Sequence, residues 1–213
     1  MLYEIKNIDL LKNTDWKKID KVASQLFIKI KEGKYEDHVT HEVAYNADIY
    51  SLKNNGSVIV NYGLTDGKPW LNWCGHFLET MIPWSKNVKD LFLKNNLNFI
   101  NFSYFEHDSY VKPHIDGKKE NEKNLGHCNI NFIVSCEDTN ARTWVRHEDI
   151  TLSYNSIPDT AWLLDTTKTH AIENNGLRKI FQIKFHDSFD IIKTFIEKNP
   201  DILNKPIDDL TVL

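Results

Sequence analysis

The chain has 213 residues, 41 % of them hydrophobic, and a formal net charge of −4. That length and apolar content suit one domain with a substantial core. An acidic balance without a dense Lys/Arg run argues against nucleic acid as a partner.

The three cysteines, Cys74, Cys128 and Cys136, match no zinc spacing and read as buried reduced thiols. No stretch approaches the roughly 20 apolar residues of a membrane span. The opening MLYEIKNIDLLK has charges spread through it and no apolar signal core, so a cytoplasmic location without a membrane partner is expected.

The first clear element is a helix over 15–32. Ile19, Val22, Ala23, Leu26, Phe27 and Ile30 recur at helical spacing with Lys and Asp opposite, and Thr14 or Asp15 can cap it. A second helix is predicted over 86–94, with Val88, Leu91 and Phe92 on one face and Ser85 as the candidate cap. Residues 1–97 are otherwise read as a helical or irregular flank. From Asn98 the texture changes to short strands: FINFSYF, CNINFIVS, ARTWVRH, ITLSY, TAWLLD, THAIE and LRKIFQIKF. Breaks between them contain Asp-Gly, Asn-Leu-Gly, Asp-Thr-Asn, Ile-Pro-Asp and Asn-Asn-Gly. Such a run of short strands with no helix among them indicates a sandwich or jelly roll over 98–185. Residues 186–213 form a C-terminal helix and tail, with Phe189, Ile192, Phe195 and Ile196 as the helix stripe.

The segment VKPHIDG sets His114 and Asp116 two apart. On an extended strand, residues i and i+2 point to the same side. A second histidine from a distant strand then completes a two-His-one-carboxylate face, which suits Fe(II) and leaves positions open. His-x-Asp alone is a weak signal: nine His and 18 Asp predict close to one such pair by chance, and the chain has two. The other is His147-Glu148-Asp149. Asp149 lies too close in sequence to His170 for the return circuit of a jelly roll. Four strands fit between Asp116 and His170, which makes His170 the natural third ligand. Arg178 follows it. A hairpin with the loop Asn174-Asn175-Gly176, Gly176 in the left-handed position, would pair Ile172 with Arg178. His170 and Arg178 would then share a face about 7 Å apart, near the reach of a five-carbon diacid.

These residues resemble the 2-oxoglutarate oxygenases, and more narrowly their aspartyl/asparaginyl β-hydroxylase and proline hydroxylase branch. The similar stretches are YVKPHIDG, HCNINFIVS and AWLLDTTKTHAIENNGLRKIFQIKF. They lie within roughly residues 78–185, and the first 75 residues carry no such resemblance. The resemblance implies a mainly β fold with flanking helices, a double-stranded β-helix of the cupin-like type. It implies Fe(II) on His114, Asp116 and His170, and Arg178 on the distal carboxylate of 2-oxoglutarate, with O2 as the other cosubstrate. Arg-x-His often opens the strand that here begins His127-Cys128-Asn129, so His127 and Asn129 become the candidates for the rest of the cosubstrate clamp. The implied activity is hydroxylation of an unactivated C–H, in an amino acid, an amino-acid side chain or another small molecule. Arg142, Trp144 and Arg146 are the candidates for substrate binding, with Trp70, Trp73, Tyr104 and Tyr110 as aromatic neighbours of the mouth. Two other readings compete: a non-catalytic metal-binding jelly-roll module, and a 2-oxoglutarate oxygenase acting on nucleic acid or a larger protein.

Overall fold

The computed structural model describes the backbone of the chain apart from residues 32–38, 45–46, 55–56, 66–67, 75, 109, 117–126 and 205–213. Side chains are described outside those segments and outside 26–70 and 76. In chain order the first half contains β1 (Leu2–Ile5), α1 (Asp9–Lys12), α2 (Trp16–Lys31), β2 (Val39–Ala44), β3 (Ala47–Asn54), β4 (Ser57–Thr65), β5 (Lys68–Cys74), α3 (His76–Met81) and α4 (Ser85–Lys94). The second half contains β6 (Phe99–His107), β7 (Val111–His114), β8 (Cys128–Cys136), β9 (Arg142–His147), β10 (Ile150–Asn155), β11 (Ala161–Asp165), β12 (Thr169–Glu173), β13 (Arg178–Phe185) and α5 (Phe189–Lys198).

Among the described residues the strands form two antiparallel sheets. The larger has the order β1-β11-β8-β13-β6-β5-β4-β3-β2 and the smaller β10-β9-β12-β7. From β6 to β13 the chain alternates between the sheets, except that β9 and β10 are consecutive in the smaller one. This alternation is a double-stranded β-helix: apart from the β9–β10 hairpin, the strands from β7 to β13 pair with strands distant in sequence, and the two sheets enclose a common lumen. Pro113 fits because β7 lies at the edge of the smaller sheet, where a missing N–H breaks no ladder.

The larger sheet is covered on its outer face by helices. Phe132, Phe181, Ile183 and Phe185 point outward and pack with Ile19 of α2, Phe92 of α4 and Ile192 and Phe195 of α5. Each such side chain contributes about 1.5–3 kcal/mol when removed from water. Trp16 joins this layer, with ring centroids 5.9 Å from Tyr104, 5.7 Å from Phe132 and 5.2 Å from Phe181. One polar contact fixes where α2 sits. The Asp20 carboxylate accepts the Tyr104 hydroxyl at 2.5 Å and the Lys179 ammonium at 2.7 Å. Asp15 caps the helix by accepting the Lys18 amide at 3.0 Å. Ser85 caps nothing; its hydroxyl donates back to the Ile82 carbonyl at 2.7 Å.

Three expectations need correction. Residues 1–97 are not a helical or irregular flank, because β1–β5 lie there and extend the larger sheet. The Asn54-Asn55-Gly56 and Thr65-Asp66-Gly67 breaks between β3, β4 and β5 are turn signals of the usual kind. Trp73 and Tyr104 are buried in the helix-side core and line no mouth; Tyr110 is exposed, and the side chain of Trp70 is outside the described residues, as are those of Leu26 and Ile30. Finally, β12 and β13 do not form a hairpin, since they belong to different sheets. The loop between them crosses the lumen wall and docks on the β8–β9 connection. There the Asn175 amide donates to Asp138 at 2.9 Å, and Leu177 donates to Glu137 at 3.0 Å. Gly176 does not take a left-handed φ. It is small because a Cβ there would stand 3.3 Å from Glu137 Cβ and 3.4 Å from the Asp138 amide nitrogen.

The Asp20 contact yields a stability test. Asp20→Ala strips two partly buried donors of their acceptor, so it is expected to cost about 1–3 kcal/mol in denaturant unfolding. An unchanged midpoint would show that apolar packing alone holds α2.

Candidate metal centre

Strand pairing brings the two histidines together. β7 ends at His114, and His114 and His170 are direct cross-strand partners of β7 and β12. Their rings lie 4.2 Å apart between centroids. Asp116 follows the strand end in a turn, so strand parity is not what aims it. Its amide instead donates to the Thr166 carbonyl at 3.0 Å, tying it to the turn before β12. That turn is shaped by Asp165, which accepts from the Thr167 amide at 3.1 Å and the Thr167 hydroxyl at 2.6 Å.

The result is one cluster. Ligand atoms of His114, Asp116 and His170 all lie within 4.8 Å of one another. The His114 Nε2–Asp116 Oδ1 distance is 3.5 Å and His170 Nε2–Asp116 Oδ2 is 3.9 Å. Each imidazole is held the same way. His114 Nδ1 bonds to the Lys112 carbonyl at 2.8 Å, and His170 Nδ1 bonds to the Lys168 carbonyl at 2.9 Å. A carbonyl can only accept, so Nδ1 carries the proton and Nε2 presents its lone pair to the cluster. Two imidazoles and a carboxylate oriented in this manner fit a divalent transition metal. Burial lowers the His170 pKa below the ordinary imidazole value; Asp116 pulls it up and His114 pushes it down.

The lumen face of the larger sheet is polar apart from one apolar row. Its rows run across strands as cross-strand partners. Asn101, Lys184 and Asn129 form one row, and Ser103, Gln182 and Asn131 the next; Phe105, Ile180 and Ile133 follow, then His107, Arg178 and Cys136. In the second row Gln182 donates to Asn131 at 3.0 Å, and Asn131 donates to the Tyr154 hydroxyl at 3.3 Å. Arg178 is fully buried. It donates to His107 Nε2 at 3.3 Å and to the Thr143 hydroxyl at 3.1 Å, and its Nε has no partner. Among the described residues no carboxylate pairs with it. Burial lowers its pKa, with Tyr154 the chief attraction opposing that. Thr143 pairs with Ile172, and Val145, two residues along the same strand, pairs with His170. The guanidinium therefore reaches a point one strand repeat, about 7 Å, from the histidine.

The other expected site residues are dispersed. Asn129 lines the lumen beside Lys184, with Oδ1 buried and unpartnered. His127 sits at the rim before β8, its ring 5.9 Å from that of His186. Arg142, Trp144 and Arg146 alternate with the inward Thr143 and Val145, so they face away from the lumen. Arg142 pairs with Glu173 at 2.6 Å, and Arg146 lies over the Trp144 ring. Their reading as a substrate mouth is corrected by this parity. Lys184, His107, Thr143 and Gln182 are lumen residues that the sequence did not single out. For Gln182 and Lys184 the signal was the largely polar even phase of β13, which reads as a solvent face until the second sheet covers it.

No protein-family model and no curated protein sequence matches the chain. Solved structures similar to it include a 2OG-Fe(II) oxygenase family oxidoreductase from Burkholderia pseudomallei, at TM-score 0.42 and 8 % identity over 75 % of this chain and 77 % of that one. AviO1 from Streptomyces viridochromogenes Tue57 gives 0.45 and 11 % over 87 % and 89 %. A cupin superfamily protein from Desulfitobacterium hafniense DCB-2 gives 0.27 and 16 % over 41 % and 67 %.

The cluster has a pH signature. His170 holds its proton less tightly when folded than when unfolded, so at acid pH the unfolded chain binds more protons. Its stabilising neutrality is intact above the unfolded value of about 6.5 and is lost as pH falls below it. Melting of the metal-free protein should drop through that window, and His170→Gln should flatten the drop. Metal affinity should fall in the same direction, because each Nε2 must be unprotonated to bind.

Proposed function

We propose that the chain is an iron(II)- and 2-oxoglutarate-dependent oxygenase that hydroxylates an unactivated C–H of an amino acid or amino-acid side chain. One observation carries this reading: a two-His-one-carboxylate cluster shares a lumen with a buried guanidinium that has no carboxylate partner among the described residues, about one strand repeat away. His114, Asp116 and His170 are the metal ligands. Iron(II) held there, with O2 and 2-oxoglutarate, would supply the oxidising power.

The protein's own part is positional. The two Nδ1 hydrogen bonds fix the imidazoles before any ion arrives. Arg178 takes the distal carboxylate of 2-oxoglutarate with its two-pronged fork. Thr143 and His107 hold that fork in place. Asn129 contributes a lumen amide to the same enclosure. The enclosure around Arg178, which is fully buried, strengthens its contacts. A buried cation without an anion costs several kcal/mol. The ligand-free fold carries that cost, and a dicarboxylate relieves it.

The test is succinate release from 2-oxoglutarate by the Fe(II)-loaded protein, with candidate amino acids screened for a mass gain of one oxygen. A metal-binding module without turnover would yield no succinate. Arg178→Lys keeps charge but loses the fork, so it should raise the 2-oxoglutarate requirement; Arg178→Ala should raise it by about tenfold or more. Neither should release the metal. Arg178→Met should melt at or above the wild-type temperature without ligand, because an apolar side chain replaces a stranded charge. Unchanged 2-oxoglutarate affinity in Arg178→Ala would refute the assignment.

A further inference from the structure

The last row of the lumen face, at the Phe185 end of β13, contains a second cation. Lys184 is the cross-strand partner of Asn101 on β6 and of Asn129 on β8. It lies at the far end of β13 from Arg178, six residues or about 20 Å along the strand. One carboxylate cannot serve both.

Lys184 is half-buried. No hydrogen bond or ion pair to it is found among the described residues. Burial opposes the charge of its ammonium, and the Asp116 carboxylate attracts it. On either side of it, Asn101 Oδ1 and Asn129 Oδ1 are buried without a partner. Buried polar atoms are almost always satisfied, so adjacent unsatisfied groups in one row point to a missing polar ligand.

Charge says which kind. Asp116 belongs to the metal cluster, and backbone bonds run from it to the neighbour of Lys184: the Asp116 amide to the Thr166 carbonyl at 3.0 Å, the Thr166 amide to the His127 carbonyl at 3.1 Å and the His127 amide to the Phe185 carbonyl at 2.8 Å. A divalent ion on Asp116 neutralises the carboxylate that attracts Lys184. Two cations then face each other in a low-dielectric space, and an anion between them relieves both.

We propose that Lys184 is the counter-charge for a carboxylate held against the metal cluster, flanked by the amides of Asn101 and Asn129. The inference rests on the metal-centre reading above. Such a carboxylate has two sources, the metal-chelating end of the 2-oxo acid or the acid group of an amino-acid substrate. Asn101 and Asn129 suit either, since an amide offers both a donor and an acceptor.

The experiment uses the full chain loaded with Mn(II), which binds without turnover, and calorimetric titration with 2-oxoglutarate and with pyruvate. Pyruvate keeps the chelating end and lacks the distal carboxylate. If Lys184 serves the 2-oxo acid, Lys184→Met weakens both ligands by about tenfold or more. Lys184→Arg then recovers most of the loss, and Arg178→Met weakens 2-oxoglutarate alone. If it serves the substrate, Lys184→Met leaves both titrations unchanged. It instead abolishes the melting shift that a free amino acid gives the protein saturated with Mn(II) and 2-oxoglutarate, and the methyl ester of that amino acid gives no shift in the wild type. Titrations and melting shifts that are both indifferent to Lys184→Met overturn the inference and leave the metal reading standing. Failure of the wild-type chain to bind Mn(II) overturns the two together.

Discussion

The structure depends on one unresolved charge. Arg178 is sealed between two sheets among neutral partners, the Thr143 and Tyr154 hydroxyls and the His107 imidazole, and its Nε has no partner among the described residues. A protein optimised for stability alone would place an apolar residue there. Around that guanidinium the lumen is built as a polar interior. Gln182, Asn131 and Tyr154 bond to one another and form a wall, while Asn101, Asn129 and Trp162 keep buried polar atoms without partners. Unsatisfied groups concentrated on one inner face indicate a cavity shaped for a ligand that completes them.

The metal cluster answers to a different constraint, the pairing of β7 with β12. That single cross-strand register sets two imidazoles side by side, and the tether from the Asp116 amide to Thr166 swings the carboxylate between them. The histidines need the sheet, and the aspartate needs the turn. Neither sheet alone assembles the whole lumen. The cluster comes from the smaller sheet and its adjoining turn, whereas Arg178 and Lys184 come from the larger.

Much of this was legible in the sequence, and the exceptions have physical causes. The strands from β6 onward announced themselves by alternation and turn residues, and α2, α4 and α5 by their apolar stripes. His114, Asp116 and His170 were legible because spacing and order limit how a jelly roll can return to one end. Arg178 was found by an argument that was partly wrong. It faces inward, but it does so from the opposite sheet and not from a hairpin with β12. Strand parity alone gives two faces and cannot say which sheet a strand joins. The same ambiguity misplaced Arg142, Trp144 and Arg146, whose pattern is identical whether the alternate residues face solvent or lumen. β2–β5 were missed although Asn-Gly and Asp-Gly pairs stand between them in the sequence, because their strands lack a continuous apolar phase. Lys184 was hidden for the opposite reason, since a lysine in a strand normally marks an outer surface.

β13 assigns its two phases to separate tasks. Phe181, Ile183 and Phe185 grip the helices, while Arg178, Gln182 and Lys184 look into the lumen. A substitution in one phase leaves the other's contacts nearly untouched. Selection can therefore retune what the cavity accepts without unfolding the scaffold, and the lumen phase can drift among relatives while the helix phase stays apolar. In such a lineage the shape would outlast the chemistry, and inheritance would be easier to trace in the wall's outer surface than in its inner one.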